Sequence, residues 1–245
     1  MANGMAALFV GSTGLRSAQT ALNTTAHNLS NINTAGYTRQ QVTFSDTQYV
    51  NIDTKDKVSN ASCGLGVAVS EVRRIRDQFI DQAYRNENSR LGFYESQYKA
   101  VEEIEDQFGE MQGVTYESYL VNLYNSVNEL AKNPASTVAR SSLIQNATAS
   151  IEKSENVYQG LRDYQTTLNT QVKNMVKDIN DLGDTIYKLN KKIAKIEAAG
   201  IEKANDLRDE RDRAIDELSK YIDITYYETD SKEVVITAAN VPFVT

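Results

Sequence analysis

Positions taken from Ile151 at alternating steps of three and four read Ile151, Ser154, Tyr158, Leu161, Gln165, Leu168, Val172, Met175, Ile179, Leu182, Ile186, Leu189, Ile193 and Ile196. Of these 14 positions 12 are apolar or aromatic, and the stripe holds for more than six heptads. A repeat of 3.5 residues sustained that long keeps one seam of a helix against partner helices throughout its length. At about 1.5 Å per residue the stretch makes a rod of roughly 70 Å, longer than an ordinary compact domain is wide. Leu168, Val172, Ile179, Leu182, Ile186, Leu189 and Ile193 are the expected bundle seam. Ser136 stands where an N-cap belongs and Gly200 where a helix would end, so one helix is expected from 136 to 199. Lys188, Lys191, Lys192 and Lys195 suit its carbonyl end. Gly160 and Gly183 lie inside it, each costing up to about 1 kcal/mol relative to alanine; they fit either pliant points or close approach of a neighbour.

The chain has 245 residues and a net charge of -7, from 26 basic against 33 acidic side chains. That balance disfavours general binding to nucleic acid or to anionic membranes. One cysteine, Cys63, excludes an internal disulfide framework, and one histidine, His27, excludes a multi-histidine metal site. No apolar run approaches the ~18–20 residues of a membrane span. The first basic side chain is Arg16 and the apolar run Met5 to Val10 is short, so export by a cleaved Sec leader is not expected.

A second heptad stripe runs over residues 5–32 as Leu8, Gly11, Leu15, Ala18, Leu22, Thr25, Leu29 and Ile32. Its flanks are Ser, Thr, Asn and Gln with few charges, so few ion pairs could support the helix alone. It fits either a helix ordered against partners, with Leu8, Leu15, Leu22 and Leu29 as an assembly face, or an amphipathic helix on its own core. From residue 26 the chain reads Ala-His-Asn-Leu-Ser-Asn-Ile-Asn-Thr-Ala-Gly-Tyr-Thr-Arg-Gln, a helix end and a structured turn, with Gly36 able to take positive φ. Val42 and Phe44, Val50 and Ile52, then Val67, Val69 and Val72 alternate with polar residues as short strands.

Helix is expected again from about Arg74 to Phe108, with Leu91, Tyr94, Tyr98, Val101 and Phe108 on one inward stripe. A third helix is expected from Tyr116 to Ala131, with Tyr119, Leu120, Leu123, Tyr124, Val127 and Leu130 inward; Asn133-Pro134 stops it. The acid- and arginine-rich run from Asn205 to Arg213 opens a last helix with Leu207, Ala214, Leu218 and Ile222 as its apolar line. Its charges are expected to form a solvated face. Asp209 with Arg213, and Arg208 with Asp212, would each add a few tenths of a kcal/mol. The run lacks the spacing of a calcium loop. Residues 222–227 and 234–236 flank a turn as a hairpin.

The turn resembles the N-terminal signature of the flagellar rod, hook and hook-associated protein family, matched by Asn28, Leu29, Asn31, Thr34, Gly36, Tyr37 and Arg39. Ala35 departs from the commoner proline. Asn205-Asp206-Leu207, Asp209, Arg211-Asp212, Ile215 and Glu217-Leu218-Ser219 are similar to the segment closing the helical domain in the hook-associated branch. Together with the helix order, the resemblance covers essentially the whole chain. It implies a structural subunit at the hook–filament junction, exported through the flagellar type III apparatus and polymerising head to tail. Implied partners are the hook subunit, the second junction protein, further copies of itself and an export chaperone; the implied place is the flagellum, outside the cell. Relatives end with another heptad helix that this chain lacks, so an N-terminal fragment is expected. The resemblance implies motility and assembly in place of catalysis.

The expected fold is mainly α: an N-terminal rod helix (1–33), an extended β-containing connector (34–73), a bundle of long antiparallel helices (74–222) and the start of a β domain (223–245). Gly64-Leu65-Gly66 lacks the remaining glycine and helix of a dinucleotide loop and the lysine of a P-loop, and is expected to be a tight turn. His27 and Cys63 are expected to be bystanders. Neither a catalytic residue nor a cofactor nor a metal ligand is expected. The alternative is a soluble coiled-coil interaction module whose seam recruits a partner helix.

Overall fold

The computed structural model describes residues 2–52, 61–109, 115–198, 200 and 203–245, with side chains at all of these except 2–6, 50–52 and 61–63. The fold is mainly α. In chain order the elements are α1 (Ala2–Ser30), β1 (Gln40–Asp46), β2 (Tyr49–Ile52), β3 (Ala61–Gly64), β4 (Val67–Arg74), α2 (Gln78–Phe108), α3 (Tyr116–Lys132), α4 (Thr137–Glu197), α5 (Asn205–Leu218), β5 (Ile224–Glu228), β6 (Val234–Ala238) and β7 (Val241–Val244). They form two compact units: residues 1–88 with 181–245, and residues 89–180. The divisions fall inside α2 and α4, away from the segment limits at 33, 73 and 222 read from the sequence.

In the unit of residues 89–180, α3 opens on Thr115, whose side chain accepts from the Ser118 amide. Ser136 caps α4 in the same way, its hydroxyl accepting from the Ala139 amide at 3.2 Å. The helix it starts then runs unbroken for 61 residues. Tyr116 Oη lies 3.0 Å from Ser154 Oγ. With the link at 133–136, that contact makes α3 and α4 an antiparallel hairpin in which α3 reaches no further along α4 than about residue 154. Beyond that point the seam is only partly covered: Leu168 and Ile179 are half-buried, whereas Val172 and Met175 are exposed.

At Gly160 a β-carbon would run into the movable amide end of the Gln107 side chain. The expected inward stripe of α2 is corrected: Leu91, Tyr94, Tyr98 and Val101 are all exposed, and only Phe108 turns in, edge-on to Tyr116. On α3, Tyr119, Leu123 and Leu130 are half-buried while Leu120, Tyr124 and Val127 face solvent. In both cases a heptad pattern marked an apolar face without marking what covers it.

The unit of residues 1–88 with 181–245 holds most of the buried apolar side chains. Ile186, Leu189 and Ile193 of α4 are buried with Ala214, Ile215 and Leu218 of α5 and Ile224, Val234, Ile236 and Val244 of the meander β5-β6-β7. The final strands therefore seal the end of the long helix. At Gly183 the β7 ring of Phe243 comes so near that a β-carbon would stand 2.8 Å from it. β1 pairs antiparallel with β4 and β2 with β3, making one long hairpin with an irregularity at Thr43/Phe44. Thr47 and Leu65 amides donate to the Gly66 and Gln48 carbonyls where its two parts meet.

Candidate assembly interface

The residues of α1 sort onto two faces, and the polar one lies against the chain's own hairpin. Ser17 is buried and its hydroxyl donates to the Val67 carbonyl at 3.3 Å. Gly66, at φ 110°, is the crossing point: a β-carbon there would collide with the Thr13 hydroxyl and stand 3.3 Å from the Val10 Cα. Glycine is what lets helix and strand approach so closely. Leu8, Leu15, Leu22 and Leu29 point the other way, with 73%, 72%, 69% and 70% of their surface exposed, and Ile32 continues the row. Fully burying a leucine is worth about 1.5–3 kcal/mol, so covering the four would gain roughly 6–12 kcal/mol. This helix is thus inverted relative to one that rests on its own core, the second arrangement its sequence allowed.

The turn after α1 is built from the side chains of the sequence motif. Asn28 grips the chain where it comes back: its Nδ2 donates to the Gln40 carbonyl at 2.8 Å, and its Oδ1 accepts from the Gln40 amide at 2.9 Å and the Tyr37 hydroxyl at 2.7 Å. Asn31 Nδ2 donates to the His27 carbonyl at 3.0 Å, and Asn31 Oδ1 accepts from the Thr34 hydroxyl at 3.1 Å. Gly36 has φ 79°, and a side chain there would meet the Arg213 stem at 3.2 Å. Burial, then the charges of Asp206 and Asp209, push the Tyr37 phenol up, which keeps it a neutral donor. Leu29 is exposed on the apolar row, and the Arg39 side chain is exposed while its carbonyl accepts from the Ile75 amide. The motif residues are brought together, except that Leu29 and Arg39 face out. A groove of about 610 Å³ opens beside them, lined by Thr25, Leu29, Ile32, Tyr37, Arg39 and Val42 among others.

The charged run of α5 is not the solvated face expected. Asp209, Asp212 and Asp216, three and four apart, share one side of the helix and meet three arginines from the connector and α2. Arg74 Nη1 donates to Asp209 and Asp212, both at 2.7 Å. Arg85, 2% exposed, donates to Asp216 at 2.6 Å and stands 3.6 Å from Asp212, with its guanidinium 4.3 Å above the Tyr226 ring. Arg76 lies 3.5 Å from Asp212 and 3.3 Å from Asp216. Burial alone would raise the Asp212 carboxyl, but Arg76, Arg74 and Arg85 outweigh it and hold the group below its usual range. Asp209 Oδ2 also accepts from the Thr38 amide at 3.0 Å, fixing the motif turn to α5.

The expected partners within α5 are corrected as well. Arg208 pairs with Glu197, through two bonds of 2.7 Å, and with Glu228, not with Asp212. Its hydrogen bond to Glu197 is the main reason its guanidinium is held more basic than usual. Arg211, 1% exposed, donates to Asn190 Oδ1 at 3.0 Å and to the Lys232 carbonyl at 2.8 Å, and pairs with Glu228 at 3.2 Å. Asn190 in turn makes both hydrogen bonds to the Val234 backbone. Arg85 and Asn190 were not singled out from the sequence, Arg74 was named only as a helix start and Arg211 only within the segment resemblance. The 209–212–216 spacing was the available sign that the acids share a face, but their arginines lie more than 120 residues away.

Of the bundle seam, Ile186, Leu189 and Ile193 are buried, Leu168, Ile179 and Leu182 half-buried and Val172 exposed. His27 sits edge-on to Tyr37 and 3.9 Å from Asp206, while the Cys63 side chain lies outside the described residues. Among the described residues no group of three or more His, Cys, Asp or Glu could hold a metal ion, and no helix is long and apolar enough to cross a membrane.

Comparison with known proteins bears on this arrangement. Residues 101–245 match the family model described as the flagellar hook-associated protein FlgK helical domain, and residues 8–38 match that of the flagella basal body rod protein. The chain is 36% identical over 211 residues to flagellar hook-associated protein 1 of Bacillus subtilis, covering 86% of this chain and 41% of that protein. It is 28% identical over 228 residues to the protein of the same name from Salmonella typhimurium, covering 93% and 40%. The chain therefore spans about two fifths of the length of these curated relatives. Its fold is similar to the solved flagellar hook junction protein FlgK from Burkholderia pseudomallei, at TM-score 0.51 and 18% identity, covering 67% of this chain and 28% of that one.

Proposed function

Because the chain belongs to the family of the flagellar hook-associated protein FlgK helical domain, we propose that it is a structural subunit of the bacterial flagellum that joins hook to filament. The observation that carries this reading is the outward row of Leu8, Leu15, Leu22 and Leu29 on a helix whose polar face is already occupied by its own hairpin. Such a row is covered by neighbouring axial subunits, the hook below, the second junction protein above and copies of the same chain around it. Contacts of this kind are head to tail, so the angle of each subunit sets the lattice. The motif turn and the α5 carboxylates fix that angle, since both hold the end of α1. The subunit leaves the cell through the flagellar export apparatus, held beforehand by an export chaperone. It carries no reaction; its curated relatives are named for a place in the flagellum.

Deletion of the gene in its own organism tests this. The expected result is intact hooks without attached filaments, seen by electron microscopy and restored by the wild-type gene. Filaments attached in normal number to hooks of the deletion strain would refute it. A free coiled-coil module is disfavoured by family membership and would leave motility untouched.

A further inference from the structure

Every fully buried apolar side chain described in the unit of residues 1–88 with 181–245 comes from residues 186–244; from α1 through residue 88 the buried side chains are Ser17, Arg85 and Asn88. The piece made of α1, the motif turn and the β1–β4 ladder therefore brings no sealed apolar core of its own to α5. What holds it there is polar: the Thr38 amide on Asp209, Arg74 on Asp209 and Asp212, Asn205 Nδ2 on the Val72 carbonyl at 2.9 Å, and Lys203 on Glu71 at 2.7 Å. The opposite face of α5, with Ala214, Ile215 and Leu218, lies in the apolar core.

We propose that α5 is a two-sided dock: its apolar side is permanent, and its Asp209 side is a releasable joint from which α1, the turn and the hairpin open together while the core stays folded. The physical basis is that hydrogen bonds and ion pairs trade against water almost evenly on opening, whereas exposing an apolar core does not. Parts of a domain open at free energies set by their own contacts. The opening lets the leucine row of α1 swing to neighbouring helices without unfolding the subunit. The inference stands on the unit's own contacts and does not need the flagellar reading.

Amide hydrogen exchange on the whole 245-residue chain tests it. A two-stranded ladder without its dock is marginal, so the β1 and β4 amides report each opening. In the wild-type chain they should exchange well before those of β5, β6 and α5. Asp209→Asn keeps the shape but removes the charge facing Arg74 and Thr38, and should speed exchange in β1 and β4 by about ten- to a hundredfold, leaving α5, β5 and β6 unchanged. Ile215→Val, on the other side, should speed exchange in α5, β5 and β6 and leave β1 and β4, which open without the core, unchanged. If Asp209→Asn does not give folded chain, Gln40→Ala combined with Lys203→Ala removes only more exposed links, the Gln40 Nε2 bond to Asp206 Oδ1 at 3.3 Å and the Lys203–Glu71 pair, and is read the same way, with a smaller ratio. Equal acceleration of ladder and core, or no acceleration of the ladder, would overturn the proposal.

Discussion

Asp212→Asn separates two pictures of α5. If Asp212 were the exposed partner of Arg208 one turn earlier, its charge would be worth about 0.3–0.5 kcal/mol. In the structure it instead faces Arg74 at 2.7 Å, Arg76 at 3.5 Å and Arg85 at 3.6 Å, with its side chain 13% exposed. The asparagine keeps the volume and removes the charge, leaving three crowded guanidinium groups with Asp209, Asp216 and, on Arg76, Asp81 as acids that still pair with them. Removing one partner of a buried ion pair costs about 3–5 kcal/mol, a large share of the roughly 5–15 kcal/mol that holds a domain folded. Urea unfolding at pH 7, followed by far-ultraviolet circular dichroism, reads this as a lower midpoint at unchanged slope. Asp230→Asn, in an exposed turn, is the control and should stay within about 0.5 kcal/mol. A loss below about 1 kcal/mol for Asp212→Asn would refute the buried network.

Three further outcomes follow from the same contacts. Asp212 is held low by its arginines, and Glu197, against the upward push of burial, by its hydrogen bonds to Arg208 and the Ala204 amide. Both therefore bind protons more weakly folded than unfolded, so their stabilisation is complete above about pH 4.5 and is lost as pH falls through their folded values. The melting temperature should drop on acidification below about pH 4.5, and less steeply in Asp212→Asn. Gly160→Ala meets only the movable end of Gln107 and should be neutral or stabilising by up to about 1 kcal/mol in urea unfolding. Gly183→Ala meets the Phe243 ring at 2.8 Å, where overpacking of about 1–3 kcal/mol exceeds the helical gain, so the same measurement should show a loss.

What the sequence disclosed was local. The limits of α4 were legible because Ser136 and Gly200 are chemical signals at fixed offsets, and the connector strands because alternation is a period of two. The turn was legible because Asn28, Gly36 and Tyr37 act on residues within about a dozen positions. The destination of each face was not legible. Heptad spacing at Leu91, Tyr94 and Tyr98 is the same whether a neighbour covers them or not, and here none of the described elements does. The α5 acids read as solvated because helical neighbours supplied nearby arginines. The true partners, Arg74, Arg76 and Arg85, come from distant strand and helix positions that only the fold brings to them.

The outward leucine row is the centre of this account, and Leu15→Glu with Leu22→Glu in the full-length gene tests it most directly. Both side chains are about 70% exposed in the single chain, so folding and export should be preserved within about 0.5 kcal/mol of stability. The row, however, can no longer be covered. Counting filaments on hooks by electron microscopy, with secreted subunit measured in the medium, should give normal secretion and bare hooks. Normal secretion with filaments attached as in wild type would contradict the claim that this face builds the junction.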